Sequence, residues 1–98
     1  MLAKAWSGAS YGIRVGRTNA NKYFSKDWTE IEVEIGGHFE RFRLSKAFWG
    51  KCPEFRGVAV GDWLLGQGLL PWPKGSPPGV QLIPLEGNRF RLRTLPAS

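Results

Sequence analysis

Ninety-eight residues, 42% of them hydrophobic and 13% aromatic, make a chain of single-domain size with enough apolar material for a core built without metal or disulfide. Fourteen Lys and Arg against eight Asp and Glu leave a formal charge of +6, while one cysteine and one histidine exclude an internal disulfide and a structural zinc site. No apolar run approaches the roughly 18 residues a membrane helix needs and residues 1–10 hold no signal-peptide core, so the expectation is a cytoplasmic protein with no membrane partner.

A basic balance at this size favours acidic partners, nucleic acid first and anionic protein surfaces next. The two halves of the chain carry +3 each, so there is no basic tail and any basic patch must be assembled by folding.

Residues 1–10, rich in Ala, Ser and Gly, read as a poorly ordered lead-in to one domain spanning residues 11–95. In residues 11–17 Ile13 and Val15 alternate with Arg14 and Gly16, the pattern of a short strand. Residues 18–27 read as a polar loop, since Asn19 and Asn21 suit turns.

The segment Thr29-Glu30-Ile31-Glu32-Val33-Glu34-Ile35 alternates without a break. Gly36-Gly37 then supplies a two-residue turn, and residues 38–44 return as the partner strand. This register sets Glu30 against Arg43 and Glu32 against Arg41, cross-strand pairs worth ~0.2–1 kcal/mol each, so the outer face of the hairpin is expected to neutralise itself. Glu40 is the misfit, because it falls opposite Val33 on the apolar face.

Ser45 is placed to cap a short helix over residues 46–49, ended by Gly50 and Pro53. A second helix is expected from Gly61 and Asp62, with Asp62 as cap, carrying Trp63, Leu64 and Leu65 until Pro71 stops it. Residues 71–79 contain four prolines and form a stiff irregular loop.

Residues 80–85 and 89–93 make a last hairpin through Glu86-Gly87-Asn88-Arg89, with Leu85 opposite Phe90 and Ile83 opposite Leu92. Arg89, Arg91 and Arg93 then form a row on the outside with only Glu86 nearby to neutralise it. Pro84 lacks an N–H and marks an edge or an interruption. The expected fold is a small α+β domain: a mostly antiparallel sheet in the order β-ββ-α-α-ββ with two short helices packed on one face.

Candidate chemistry is sparse. His38 lies beside a turn and has no nucleophile to serve, Cys52 reads as small apolar filling, and the glycines fit neither a P-loop nor a dinucleotide fingerprint. Glu30, Glu32 and Glu34 are accounted for by Arg41 and Arg43. The expectation is therefore a non-enzyme with no catalytic residue, cofactor or metal.

Of the five tryptophans, Trp49 and Trp63 fall in helical apolar stripes, whereas Trp6, Trp28 and Trp72 flank strands or stand in irregular segments. Trp72, between Pro71 and Pro73 and next to Lys74, is the candidate interaction aromatic, because a stiff loop presents a flat ring at small entropic cost. The expected function is a module that binds DNA or RNA mainly through phosphate contacts by Arg89, Arg91 and Arg93, with Arg14, Arg17, Lys22 and Lys74 assisting. The alternative is a protein-interaction module or homodimer, using the edge of the C-terminal hairpin and the Trp72 loop against an acidic partner or a second copy. A small-molecule site between sheet and helices is a third reading.

Overall fold

The alternation of Ile31, Val33 and Ile35 builds β3 (Glu30–Ile35), which pairs with β4 (His38–Arg43) in the register expected, Ile31 opposite Phe42 and Ile35 opposite His38. Gly36 and Gly37 sit at φ 60° and 89°, the left-handed conformation such a two-residue turn requires. Glu40 is opposite Val33 and still exposed, because β4 is an edge strand of the sheet. The structure is a computed structural model that describes residues 1–96.

Residues 1–10 are not a lead-in. They supply β1 (Leu2–Ser7), which lies inside the sheet between β2 (Tyr11–Arg14) and β6 (Gly79–Pro84). Ala3 and Ala5 face the core while Leu2, Lys4 and Trp6 face outward, and the Met1 ammonium donates to the Leu82 carbonyl at 2.7 Å. Nor are residues 18–27 all loop. Helix α1 (Arg17–Tyr23) buries Ala20, and the Asn19 amide donates to the carbonyls of Leu2 and Val15 at 2.8 and 2.9 Å.

Residues 46–49 form a single 3₁₀ turn rather than an α-helix, and Ser45 makes no side-chain cap. A short strand, β5 (Glu54–Arg56), follows, and α2 (Val58–Gly66) has Gly57 rather than Asp62 at its N-cap, which puts Asp62 in mid-helix. Val60, Trp63 and Leu64 are its buried side chains.

The C-terminal hairpin of β6 and β7 (Arg89–Thr94) is shifted by one residue from the expected register: Leu82 opposes Leu92 and Pro84 opposes Phe90. A one-residue shift exchanges the faces, so Val80 and Leu82 enter the core in place of Ile83 and Leu85. This hairpin is also not an edge. β7 pairs in parallel with β3 and β6 pairs with β1, giving the order β4-β3-β7-β6-β1-β2-β5. Pro84 ends β6 beyond its pairing with β1.

The true edges, β4 and β5, curl toward each other. The Phe42 and Phe55 rings meet across them with centroids 4.8 Å apart, so the sheet is a partly closed barrel. Its core joins the inward residues of the sheet to Phe24 and Phe48, whose rings lie 4.9 Å apart, and Phe24 stacks on Phe90 at 4.6 Å. The result is a small α+β fold with a mostly antiparallel sheet and two helices. No helix among the described residues is long and apolar enough to cross a membrane.

Candidate nucleic-acid interface

The outer face of the sheet carries most of the charge, and strand order decides which charges meet. The parallel pairing of β3 with β7 sets Glu32 beside Arg89 and Glu34 beside Arg91. Arg89 Nε lies 3.6 Å from Glu32 Oε1, Arg91 Nε donates to Glu34 Oε2 at 3.1 Å, and Arg93 Nη2 donates to Glu34 Oε1 at 3.2 Å. The expectation of an arginine row with little acid beside it is thus overturned. Hydrogen bonds from Arg91, and after it Arg93, hold the Glu34 carboxyl below its ordinary value of 4.5 against the opposing pull of desolvation.

The first hairpin is neutralised less completely than its register implied. Arg41 Nε reaches diagonally to Glu30 Oε2 at 2.8 Å, Glu32 turns to Arg89, and Arg43 has no carboxylate partner among the described residues. Lys22 lies over the Tyr23 ring at 5.3 Å on the last turn of α1, the helix that Arg17 begins.

A different cluster forms where β4 and β5 approach each other. β5 pairs with β2, placing Glu54 opposite Arg14 and Arg56 opposite Gly12. The Glu54 side chain is 7% exposed, with Arg14 Nη2 at 3.5 Å from Oε1 and Arg56 Nη2 at 2.9 Å from Oε2. The close approach depends on glycine: a Cβ on Gly12 would stand 2.7 Å from the Phe55 carbonyl oxygen and 2.9 Å from Arg56 Cβ. The junction between β2 and α1 is tied to the 45–53 connection by Val15 N–H to the Pro53 carbonyl at 2.9 Å and Arg17 Nη2 to the Gly50 carbonyl at 3.2 Å.

Arg43, Ser45, Ala47, Cys52, Glu54, Phe55 and Arg56 line a crevice of about 410 Å³ in this seam. Lys46 and Lys51 are exposed on the connection that borders it. Arg43 and Arg56 thus line the crevice with one carboxylate, Glu54, which stands within ion-pair distance of Arg14 and Arg56, while Lys46, Lys51 and Arg17 belong to or touch the bordering connection. Of the cations named from sequence, Arg14 and Arg17 belong here. Arg43, Lys46, Lys51 and Arg56 were missed; the cue present was three cations against one acid in residues 46–56.

Trp72 is half-buried, its ring edge-on to Tyr11 with centroids 5.8 Å apart. It separates two depressions that share Ser7: one of about 160 Å³ with Tyr11, Leu70 and Pro71, the other of about 210 Å³ with Trp6, Lys74, Gly75 and Pro77. Trp72 and Lys74 thus come together, and Trp6 joins them. Arg14 connects this cleft to the seam, its guanidinium carbon standing 3.6 Å from the centroid of the Trp6 ring. Comparisons with protein-family models, with curated proteins and with solved structures found no match to this chain.

Proposed function

We propose that this chain is a non-enzymatic, cytoplasmic module that binds nucleic acid by gripping phosphates at the β4–β5 seam. The observation that carries the reading is a crevice lined by Arg43 and Arg56 whose single carboxylate, Glu54, sits between Arg14 and Arg56, bordered by a connection that carries the exposed Lys46 and Lys51. Glu54 stands within ion-pair distance of two guanidinium groups, and Arg43, Lys46 and Lys51 have no carboxylate partner among the described residues. By contrast, Arg89, Arg91 and Arg93 share Glu32 and Glu34, which leaves that row a net charge of only +1. Arginine forks suit phosphate oxygens, and the electrostatic part of the affinity needs no base-reading motif. The lone Cys52 suits a reducing compartment.

The test is a salt-titrated binding measurement on duplex and on single strands. Log affinity should fall linearly with log salt, with a slope near −0.9 per phosphate neutralised on duplex, and Arg43→Gln, Lys46→Gln and Lys51→Gln together should flatten it by about two to three units. A parent protein whose binding ignores salt, or a triple variant that binds as the parent does, would sink the reading.

A protein-contact role has one specific observation in its favour. Val58 and Leu65, two turns apart on α2, are 77% and 66% exposed and flank a groove of about 390 Å³ that includes Tyr11 and Leu70. Light scattering over a concentration series, on the parent and on Leu65→Glu, tests whether a second copy covers it.

A further inference from the structure

We infer that the cleft between Trp6 and Trp72 receives one unstacked nucleobase, which makes single-stranded nucleic acid the ligand class of the module. The inference rests on the seam reading above for the phosphate contacts and adds the base contact. Four of the five tryptophans touch the core: Trp63 is buried, Trp28 meets Phe24 and Phe90 edge-on, Trp49 meets Phe48, and Trp72 is partly buried against the core while also lining the cleft. Trp6 does not. It points from β1 to the outer face of the sheet, where its register partner is Gly12, and Arg14 covers its ring.

Across the cleft, Trp72 is fixed by the flanking Pro71 and Pro73 and by its edge contact with Tyr11, so its ring is presented with little freedom left to lose. The loop then turns back, with Ser76 N–H donating to the Pro73 carbonyl at 3.0 Å and Gly75 at φ 81°, and this turn sets Lys74 on the cleft wall.

The walls hold two indoles, one ammonium and the Ser7 hydroxyl, and no carboxylate. Two indole surfaces suit a planar ring, the hydroxyl can donate to or accept from its edge, and a cation stands on each side for the adjoining phosphates: Lys74 on one, Arg14 with the seam beyond it on the other. At about 210 Å³ the cleft is below the ~300–1,000 Å³ of sites for drug-sized ligands, a scale that favours a single base. A base still stacked in a duplex offers no face to an indole, so the ligand must be single-stranded there.

The experiment compares three probes of equal length on the full chain: an oligothymidylate, the same backbone without bases, and a duplex. The parent should bind the base-bearing strand about fivefold to a hundredfold more tightly than the abasic one, the span set by one stacked base. Its tryptophan fluorescence should be quenched by the base-bearing strand and not by the abasic one. Trp6→Ala and Trp72→Ala should each shrink the preference while leaving the salt slope as in the parent. The parent's own contrast between the two strands decides the matter even where a variant fails to fold. Equal affinity for both strands, with normal salt dependence, overturns the base site and leaves the seam reading standing. Absence of salt-dependent binding to any probe overturns the seam reading itself.

Discussion

Glu34 receives two arginines, Arg91 on one carboxylate oxygen and Arg93 on the other, at 3.1 and 3.2 Å. This fork spans the parallel junction of β3 and β7, whose residue pairs run from Glu32 with Arg89 to Glu34 with Arg91. The charges thus do double duty: they tie the C-terminal hairpin to the first hairpin and consume the positive face that β7 would otherwise present. Changing Arg89, Arg91 and Arg93 together to Gln is expected to lower the urea midpoint slightly, since all three side chains are substantially exposed, and to change the salt slope of polyanion binding by under one unit. Loss of binding equal to that of the seam variant would place the phosphate contacts on β7 instead.

The same fork predicts a pH response. Glu34 titrates below its ordinary 4.5 because the charged form accepts hydrogen bonds from Arg91 and Arg93. A carboxylate whose folded value is depressed stabilises the fold above its unfolded value, and that contribution is lost as pH falls through the folded one. The urea midpoint of the parent should therefore decline on acidification below about pH 4.5, and Glu34→Gln should show a shallower decline. Carboxyl chemical shifts should place the Glu34 midpoint below 4.5, and Arg91→Gln should move it upward.

Local patterns were legible and distant pairings were not. The β3–β4 hairpin could be read residue by residue, because unbroken alternation and a Gly-Gly turn fix register within fifteen residues. The last hairpin slipped by one, since Val80 with Leu82 and Ile83 with Leu85 both offer an apolar pair and only the turn geometry separates them. β1 was missed because Ala3 and Ala5 are weak apolar signals, and α1 because Ala20 is its one buried residue. The β3–β7 pairing joins residues 57 apart in sequence, and that pairing set which glutamates met which arginines. At the candidate site, Trp72 and Lys74 were legible because they lie two residues apart. The seam cations come from β2, α1, β4, β5 and a connection, so only the folded chain assembles them.

Gly12 provides a sharp test of how β5 is held. An added Cβ would stand 2.7 Å from the Phe55 carbonyl oxygen, a backbone atom that cannot move without shifting the strand. Gly12→Ala is expected to cost about 1–3 kcal/mol in urea unfolding, the range of an overpacked site. Binding should weaken as well, because Arg56 and Glu54 ride on the displaced strand. Gly66, at the end of α2 with open space around it, is the control: Gly66→Ala should gain about 0.5–1 kcal/mol.

Closure of the barrel rests on Phe42 and Phe55, whose rings meet at 4.8 Å from the two edge strands and are 6% and 2% exposed. β5 is three residues long and pairs with β2 alone, so this aromatic contact is its main hold on the opposite edge. Phe55→Ala should cost about 3–5 kcal/mol, as for a fully buried ring. The milder Phe55→Leu keeps apolar volume and should leave a folded chain in which amide exchange speeds up across β4 and β5 and stays unchanged in β6. Arg43 and Arg56 stand on opposite lips of the crevice that this contact closes. Loosening it should therefore weaken phosphate binding and flatten the salt slope although no charge has been removed. Retention of the full slope in Phe55→Leu, with exchange accelerated as expected, would mean that the two lips act independently and that the seam need not be closed to bind.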